Sequence, residues 1–494
     1  MTNQQVIGVH SDHATAMISV RQAPLTKLTT YFGVPCIVTG ILLFTSVNSV
    51  SLIQIIASFA LLAFPWVSYR RWVKRNKPGL PVFALIAGLH WLYFAVAVFW
   101  GNRLIPVWYL TSDRTSDDAV TAVLFMALLG VVAFGLGLRI RLFQFSSWTI
   151  ARRKSDEKGF WDYVRLLLIS GVAFSYLPSA IYLFGESGRN WMLALQSTVP
   201  LFAAVLLLRK YFQGSATRLD QALILFYVLS RILTGLGSGW SGSIFYLGLA
   251  IGLVYLLERR RIPTIALILV LVAVVFLQTG KSEFRAQYWY SDNTNDALFD
   301  RINFWLEGSI QEWQEILSDP TGEKLIDQLR SSILRVSLLT HAANVYEQTP
   351  EIVPFQGGKL YEFAIIGFIP RFVWPDKPSG NDANQFYQVA YSVTPEGRLY
   401  SVSIAIGYLI EAYISFGWAG IVAIMFMIGI MIGTLNRVFF IHSTELIGPS
   451  IGIIAVLSLL RVETQMGLYV VSTIQSVIVT LLVLLPTVAL RRRR

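Results

Sequence analysis

The ten residues IPRFVWPDKP, Ile369 to Pro378, gather two cations, two flat rings, a carboxylate and three prolines. Proline fixes φ and removes backbone donors, so Pro370, Pro375 and Pro378 predict a stiff, non-helical loop. Arg371 offers a forked donor set for phosphate oxygens and Lys377 a second positive charge, while Phe372 and Trp374 offer faces for the apolar side of a sugar ring. An anionic ligand with a sugar portion suits the combination. A loop wedged at a membrane surface by its aromatics would use the same residues.

Other chemistry-bearing residues stand in apolar surroundings, where an ionisable side chain is costly and marks a candidate site. Arg231 sits three residues before TGLGSG, whose glycines permit a ligand to approach backbone N–H groups. Arg165, one turn from the end of its span, can snorkel. Arg461 and Glu463 are two residues apart and so point to different faces of a helix. Glu411 lies in the apolar run SVSIAIGYLIEAYISFGWAG, where burial favours the neutral carboxyl and makes it able to accept a proton near neutrality. Arg330, Ser337 and His341, spaced by seven and four, share a face if 323–347 is one helix. His341 is able to titrate near neutral pH, and the three could equally be a solvated face.

The elements that must hold these residues are those of a membrane protein. The chain has 494 residues, is 54% hydrophobic and only 14% charged, well to the apolar side of a soluble domain. The formal charge of +11 sits in short clusters between apolar runs, which argues against nucleic acid and for membrane orientation. Spans of roughly 20 residues are expected near 31–47, 50–69, 80–100, 119–138, 162–184, 191–208, 220–237, 241–257, 263–280, 418–437, 447–463 and 468–490. The expected fold class is therefore an all-α polytopic membrane protein of about twelve transmembrane helices. Three parts follow: a bundle at 1–280, a large outer loop at 281–417 with an amphipathic helix and the proline-rich stretch, and helices at 418–494. The apolar run around Glu411 is expected to lie on or dip into the outer leaflet before the span starting near Trp418.

RRWVKRNK, ARRKSDEK, ERRR and the final RRRR fall on one side, against only Arg103, Arg114 and Arg189 in the short loops of the other. Both termini are therefore expected in the cytoplasm and 281–417 outside. The lone Cys36 permits no intrachain disulfide, and the polar first thirty residues lack a signal-peptide cleavage pattern, so the run from Tyr31 is expected to be retained. No internal repeat is evident, which counts against inverted-repeat transporters.

GGKLYEFAIIGFIPRFVWPDKPSG, then YSVT, then IGYLIEAYISFGWAG resembles the bacterial oligosaccharide repeat-unit polymerases, the Wzy-type O-antigen and exopolysaccharide polymerases. The likeness is detailed over about 357–420 and elsewhere is one of hydropathy. It implies an inverting glycosyltransferase of the bacterial inner membrane, which moves a glycan from undecaprenyl diphosphate onto another lipid-linked repeat at the periplasmic face. It also leaves room for a chain-length-regulating co-polymerase as partner. Such chemistry needs cations for the leaving diphosphate and a base for the attacking hydroxyl. Arg371, Lys377, Arg231 and Arg330 are the cation candidates, Trp374 and Phe372 the sugar-stacking ones, Glu411 the preferred base and His341 the second. No clustered carboxylate or histidine ligands are evident, so no metal or other cofactor is expected. A ligase on the same architecture is the nearest alternative. A lipid-linked oligosaccharide flippase would instead line a central cavity with charge, whereas charge here concentrates in one long segment.

Overall fold

A computed structural model describes residues 24–101, 114–141, 148–152, 157–177, 185–240, 242–289, 297–369, 373–399, 403–441 and 446–492. Among the described residues the fold is helical apart from one short antiparallel pairing between β1 (Trp148–Arg152) and β2 (Val488–Arg492), in which Trp148 pairs with Arg492 and Arg152 with Val488.

The first six helices are α1 (Pro24–Phe44), α2 (Leu52–Lys74), α3 (Val82–Trp100), α4 (Asp117–Gly137), α5 (Glu157–Ser175) and α6 (Gly185–Phe212). Then come α7 (Arg218–Gly237), α8 (Gly242–Arg259), α9 (Thr264–Thr279), α10 (Lys281–Tyr288), α11 (Leu298–Ser318), α12 (Glu323–Val336) and α13 (Leu339–Gln348). The chain ends in α14 (Glu362–Ile366), α15 (Asp382–Ala390), α16 (Gly407–Asn436), α17 (Ile447–Leu459) and α18 (Met466–Leu484). Local signals start several of them. Ser51 with Gln54, and Thr217 with Asp220, form capping boxes on α2 and α7, and Ser116 caps α4 ahead of Asp117 and Asp118.

Among the described residues eight helices are long and apolar enough to cross a membrane: α2, α3, α4, α6, α7, α8, α16 and α18. A helix stands at each of the other expected positions, but none there is a straight, full-length span. The apolar part of α1 and all of α17 are short, and α9 bends by 56° into α10. α5 opens on the charged residues Glu157, Lys158, Asp162 and Arg165, and the end of its expected span falls at 178–184, outside the described residues.

α16 reverses in its middle. Gly417 has φ 62° and ψ −145°, and a Cβ on Gly130 of α4 would meet both Leu409 and Met425, at 2.9 and 3.2 Å. In an uninterrupted helix those two residues would stand about 24 Å apart. The chain therefore folds back at Gly417, and the run ahead of Trp418 is a short helix laid against the span that follows it. Tyr408 to Ser415 are buried within the protein. The amides of Gln356 and Gly357 donate to the carbonyls of Ile414 and Ser415, both at 3.1 Å, which would otherwise be the unsatisfied end of that short arm.

The long segment 281–417 does not stand apart. Leu339, Ala342, Ala343 and Val345 of α13 share one hydrophobic core with residues of α2 and α16, and α13 packs on α4. The single helix expected over 323–347 is two helices, broken at Ser337, so Arg330, Ser337 and His341 do not share one face. The break has a tertiary cause: Leu338 N and Ser337 Oγ both donate to Tyr93 O of α3, at 2.9 and 3.2 Å. Tyr93 lies in a π-turn, Trp91–Ala95, whose wider backbone helps a carbonyl accept from outside its own helix.

Candidate functional site

The polar residues gather along the connection from α17 to α18, residues 460–466, enclosed by α3, α8 and the short arm of α16. Glu463 is the centre. Its Oε2 accepts from Tyr93 Oη at 2.7 Å and its Oε1 from Tyr246 Oη, near the start of α8, at 3.0 Å. Gly407 N donates to the Glu463 carbonyl at 2.9 Å, and Gly407, at φ +69°, could not carry a side chain, because a Cβ would stand 2.5 Å from Val462 O. Thus the first residue of the short arm is fastened to the loop that carries the carboxylate. Tyr408 follows, its ring 5.9 Å from His90 and 5.1 Å from Tyr469.

Arg461 has no comparable partner. Its guanidinium lies over the Tyr246 ring, 4.7 Å from the centroid, and its Nε is buried without an acceptor. It forms no ion pair with any described residue, and the neighbouring carboxylate of Glu463 accepts from two hydroxyls instead. A half-buried cation at the end of an apolar helix, with no direct ion pair, is an expensive feature unless a ligand supplies the anion.

A second positive group stands at the α9–α10 bend. Lys281, at the α9–α10 bend, is 4% exposed and lies close enough to Arg285 and Arg335 to be repelled by both. Arg335 ends α12 two residues before the Ser337 contact with Tyr93. Desolvation, and after it the Arg285 guanidinium, hold Arg335 below the usual arginine range. Arg285 stacks over Trp289 at 4.3 Å, and Trp289 Nε1 donates to Ser238 O at 3.0 Å, which fixes α10 on the end of α7.

The residues singled out in the sequence are scattered. Arg231 is half-buried beside Tyr227, and its side chain makes no hydrogen bond or ion pair with a described residue. Its glycine-rich neighbourhood serves packing rather than an open approach: Gly235 meets Ser243 and Ile244, Gly237 meets Leu298 and Gly239 meets Phe284. Arg330 is on the surface, 3.4 Å from Asp327, away from the seam. Lys377 is buried, and its Nζ donates to Gly367 O at 3.1 Å and Ile369 O at 2.6 Å, so it clasps its own loop. Trp374 is exposed, and Arg371 and Phe372 lie outside the described residues. Arg165 pairs with Asp162 and Asp220.

The two proposed bases differ in access. Glu411, wholly buried on the short arm, accepts Met466 N at 2.6 Å through Oε2 and so caps α18, where the helix dipole favours a negative charge. Its Oε1 is buried without a hydrogen-bond partner, and the Ser415 and Tyr361 hydroxyls lie close by, near each other. His341 Nδ1 is 2.6 Å from Tyr387 Oη, and desolvation pushes this histidine down to about 4, so it is neutral at physiological pH. Among the described residues no three His, Cys, Asp or Glu side chains gather as metal ligands.

The seam therefore offers a cation, Arg461, beside a carboxylate, Glu463, while Lys281, Arg285 and Arg335 form a second positive group at the α9–α10 bend. Tyr93 and Tyr246 escaped the sequence reading because a tyrosine inside an apolar run looks like any aromatic.

A family described as a domain of unknown function, DUF8712, matches residues 107–439. No curated protein and no solved structure matches the chain.

Proposed function

The chain belongs to the DUF8712 family, and we propose that it is a membrane-embedded glycosyltransferase that polymerises oligosaccharide repeats carried on undecaprenyl diphosphate. In this reading it lies in the bacterial inner membrane with both termini cytoplasmic, and the 460–466 seam opens to the periplasmic side together with segment 281–417. The observation that carries it is Arg461, a half-buried cation without an internal anion beside a carboxylate held by two hydroxyls.

The chemistry then assigns itself by charge. A sugar hydroxyl of one lipid-linked repeat attacks the anomeric carbon of another. The bond from that carbon to the diphosphate oxygen breaks with inversion, and its electron pair leaves on the lipid diphosphate. Arg461, with Lys281, Arg285 and Arg335, stabilises the departing charge, and the hydroxyl proton passes to Glu463. The EAYISFG portion of the resemblance fits as architecture: it ends at Gly417, where the chain reverses to bring the short arm against the seam.

Purified protein in nanodiscs, given a fluorescent lipid-diphosphate-linked oligosaccharide, should extend it into a ladder. Arg461→Gln should abolish the ladder while the protein stays folded. A wild-type ladder from that variant would overturn the reading. In a deletion strain, single repeats on the acceptor support a polymerase, whereas long polymer left on the carrier would instead assign a ligase.

A further inference from the structure

At the opposite end of α8 lies a cavity of about 780 Å³, lined by Tyr211, Phe212, Gln221, Tyr255, Arg259 and Arg261. Tyr246 and Arg259 are separated by about 20 Å along the helix axis, so the cavity is distinct from the seam. Its walls are aromatic: Phe212 meets Tyr211 and Tyr255 edge-on, with centroids 5.3 and 5.4 Å apart.

No carboxylate lines it, and the nearest ones are spoken for. Glu258 accepts from Arg209 Nε at 2.6 Å and from Gln213 Nε2 at 3.1 Å. Asp220 accepts from Arg165 and Lys210 at 2.8 and 2.7 Å. The intervening Arg260 is engaged as well, donating to Lys77 O at 2.7 Å and lying over Trp72. Arg259 and Arg261 are exposed and make no hydrogen bond or ion pair with a described residue. Two free forked donors over aromatic walls, with every local anion committed elsewhere, select a phosphate. Three residues beyond Arg261, α9 begins, and its first turns expose Ile265, Ile268 and Leu269, an apolar surface suited to acyl chains.

We propose that this cavity binds a phosphate ester through Arg259 and Arg261, its main source being the headgroup of an anionic glycerophospholipid whose chains lie along α9.

The test is native mass spectrometry of the full-length protein released from mixed phosphatidylglycerol and phosphatidylcholine vesicles. Wild type should retain phosphatidylglycerol in preference. Arg259→Gln/Arg261→Gln should weaken retention by about twenty-fivefold, some fivefold for each arginine. Tyr255→Leu, which keeps both charges but removes the edge-on contact with Phe212 that shapes the wall, should weaken it by about threefold, the lower end of an aromatic pair. Arg70→Gln/Arg75→Gln, at a basic helix end elsewhere, should change it by less than about twofold. If glycerol 3-phosphate or inorganic phosphate displaces the lipid at millimolar concentration, the phosphate site stands but its source is soluble. Equal phosphatidylglycerol retention by wild type and the Arg259/Arg261 double variant would overturn the site, as would an equal loss in the Arg70/Arg75 control.

Discussion

Two charged regions at opposite ends of the same helices treat their cations differently. Where α5, α6, α7 and the end of α8 meet, Arg165, Lys210 and Arg209 each reach a carboxylate, and wholly buried Asp220 accepts from two cations and from Thr217 N at 2.9 Å. Around 460–466 the carboxylates are used differently: Glu463 takes two tyrosine hydroxyls and Glu411 a helix N-terminus, while Arg461 is left without an anion. The lesson is one of balance. Charges neutralised within the chain hold helices together, and a charge left over at apolar depth is kept for something that arrives.

The largest effect should come from breaking the balanced end. Asp220→Asn leaves Arg165 and Lys210 short of their shared anion, and removing one partner of a buried ion pair costs about 3–5 kcal/mol. Thermal unfolding in detergent should show it as a much lower midpoint. At the unbalanced end the same kind of cut should do the reverse. Arg461→Gln relieves an unpaired cation, so the midpoint should hold or rise slightly, while glycan transfer should fall by about a hundredfold. If Arg461→Gln lowers the midpoint as Asp220→Asn does, the contrast between the two ends is wrong.

Lys377 tests the contrast within the proline-rich stretch, the segment that looked most like a ligand site. In the fold it behaves like the balanced end, with two carbonyls of its own loop as partners. Lys377→Met should therefore loosen residues 367–380 by about 1.5–3 kcal/mol, seen as faster proteolysis there. Lys377→Arg should do nearly as much harm, since a planar guanidinium does not fit between two carbonyls arranged for an ammonium. A mild Lys377→Arg with lost activity in Lys377→Met would return the residue to ligand binding.

How much of this was legible depends on where each partner sits in the chain. Apolar runs place the helices because burial in a bilayer demands them, and the run before Trp418 stood out as too short to span, although its reversal at Gly417 did not. Arg461 and Glu463 were visible as ions among apolar residues, but not their partners: Tyr93 and Tyr246 lie hundreds of positions away, and sequence spacing carries no information on contacts at that range. The break at Ser337 was hidden for the same reason, because helical periodicity continues through it and the cause is a carbonyl of α3. Lys377 shows a further limit: a sequence displays a charge but not the backbone oxygens that will satisfy it.

His341 offers the smallest and most graded test, because protonation adds a cation at will. The burial that holds it down to about 4, below the 6.5 of a free histidine, means that the unfolded chain binds more protons between those two values. Stability should therefore be level above about pH 7, fall as pH drops through 6.5, and stop falling on this account near 4. The residue as a whole is only half-buried, which reduces the loss to about 1–2 kcal/mol. His341→Gln keeps a polar partner for Tyr387 Oη but cannot take up the proton, so subtracting its unfolding curve from that of wild type isolates the histidine. The difference should open only on the acid side, and it should survive Asp220→Asn, because the two groups belong to separate charge systems and distant effects add. A difference that is flat from pH 7 to 4 would mean that the imidazole stays solvated in the folded protein, and His341 would then be free to serve as the base in place of Glu463.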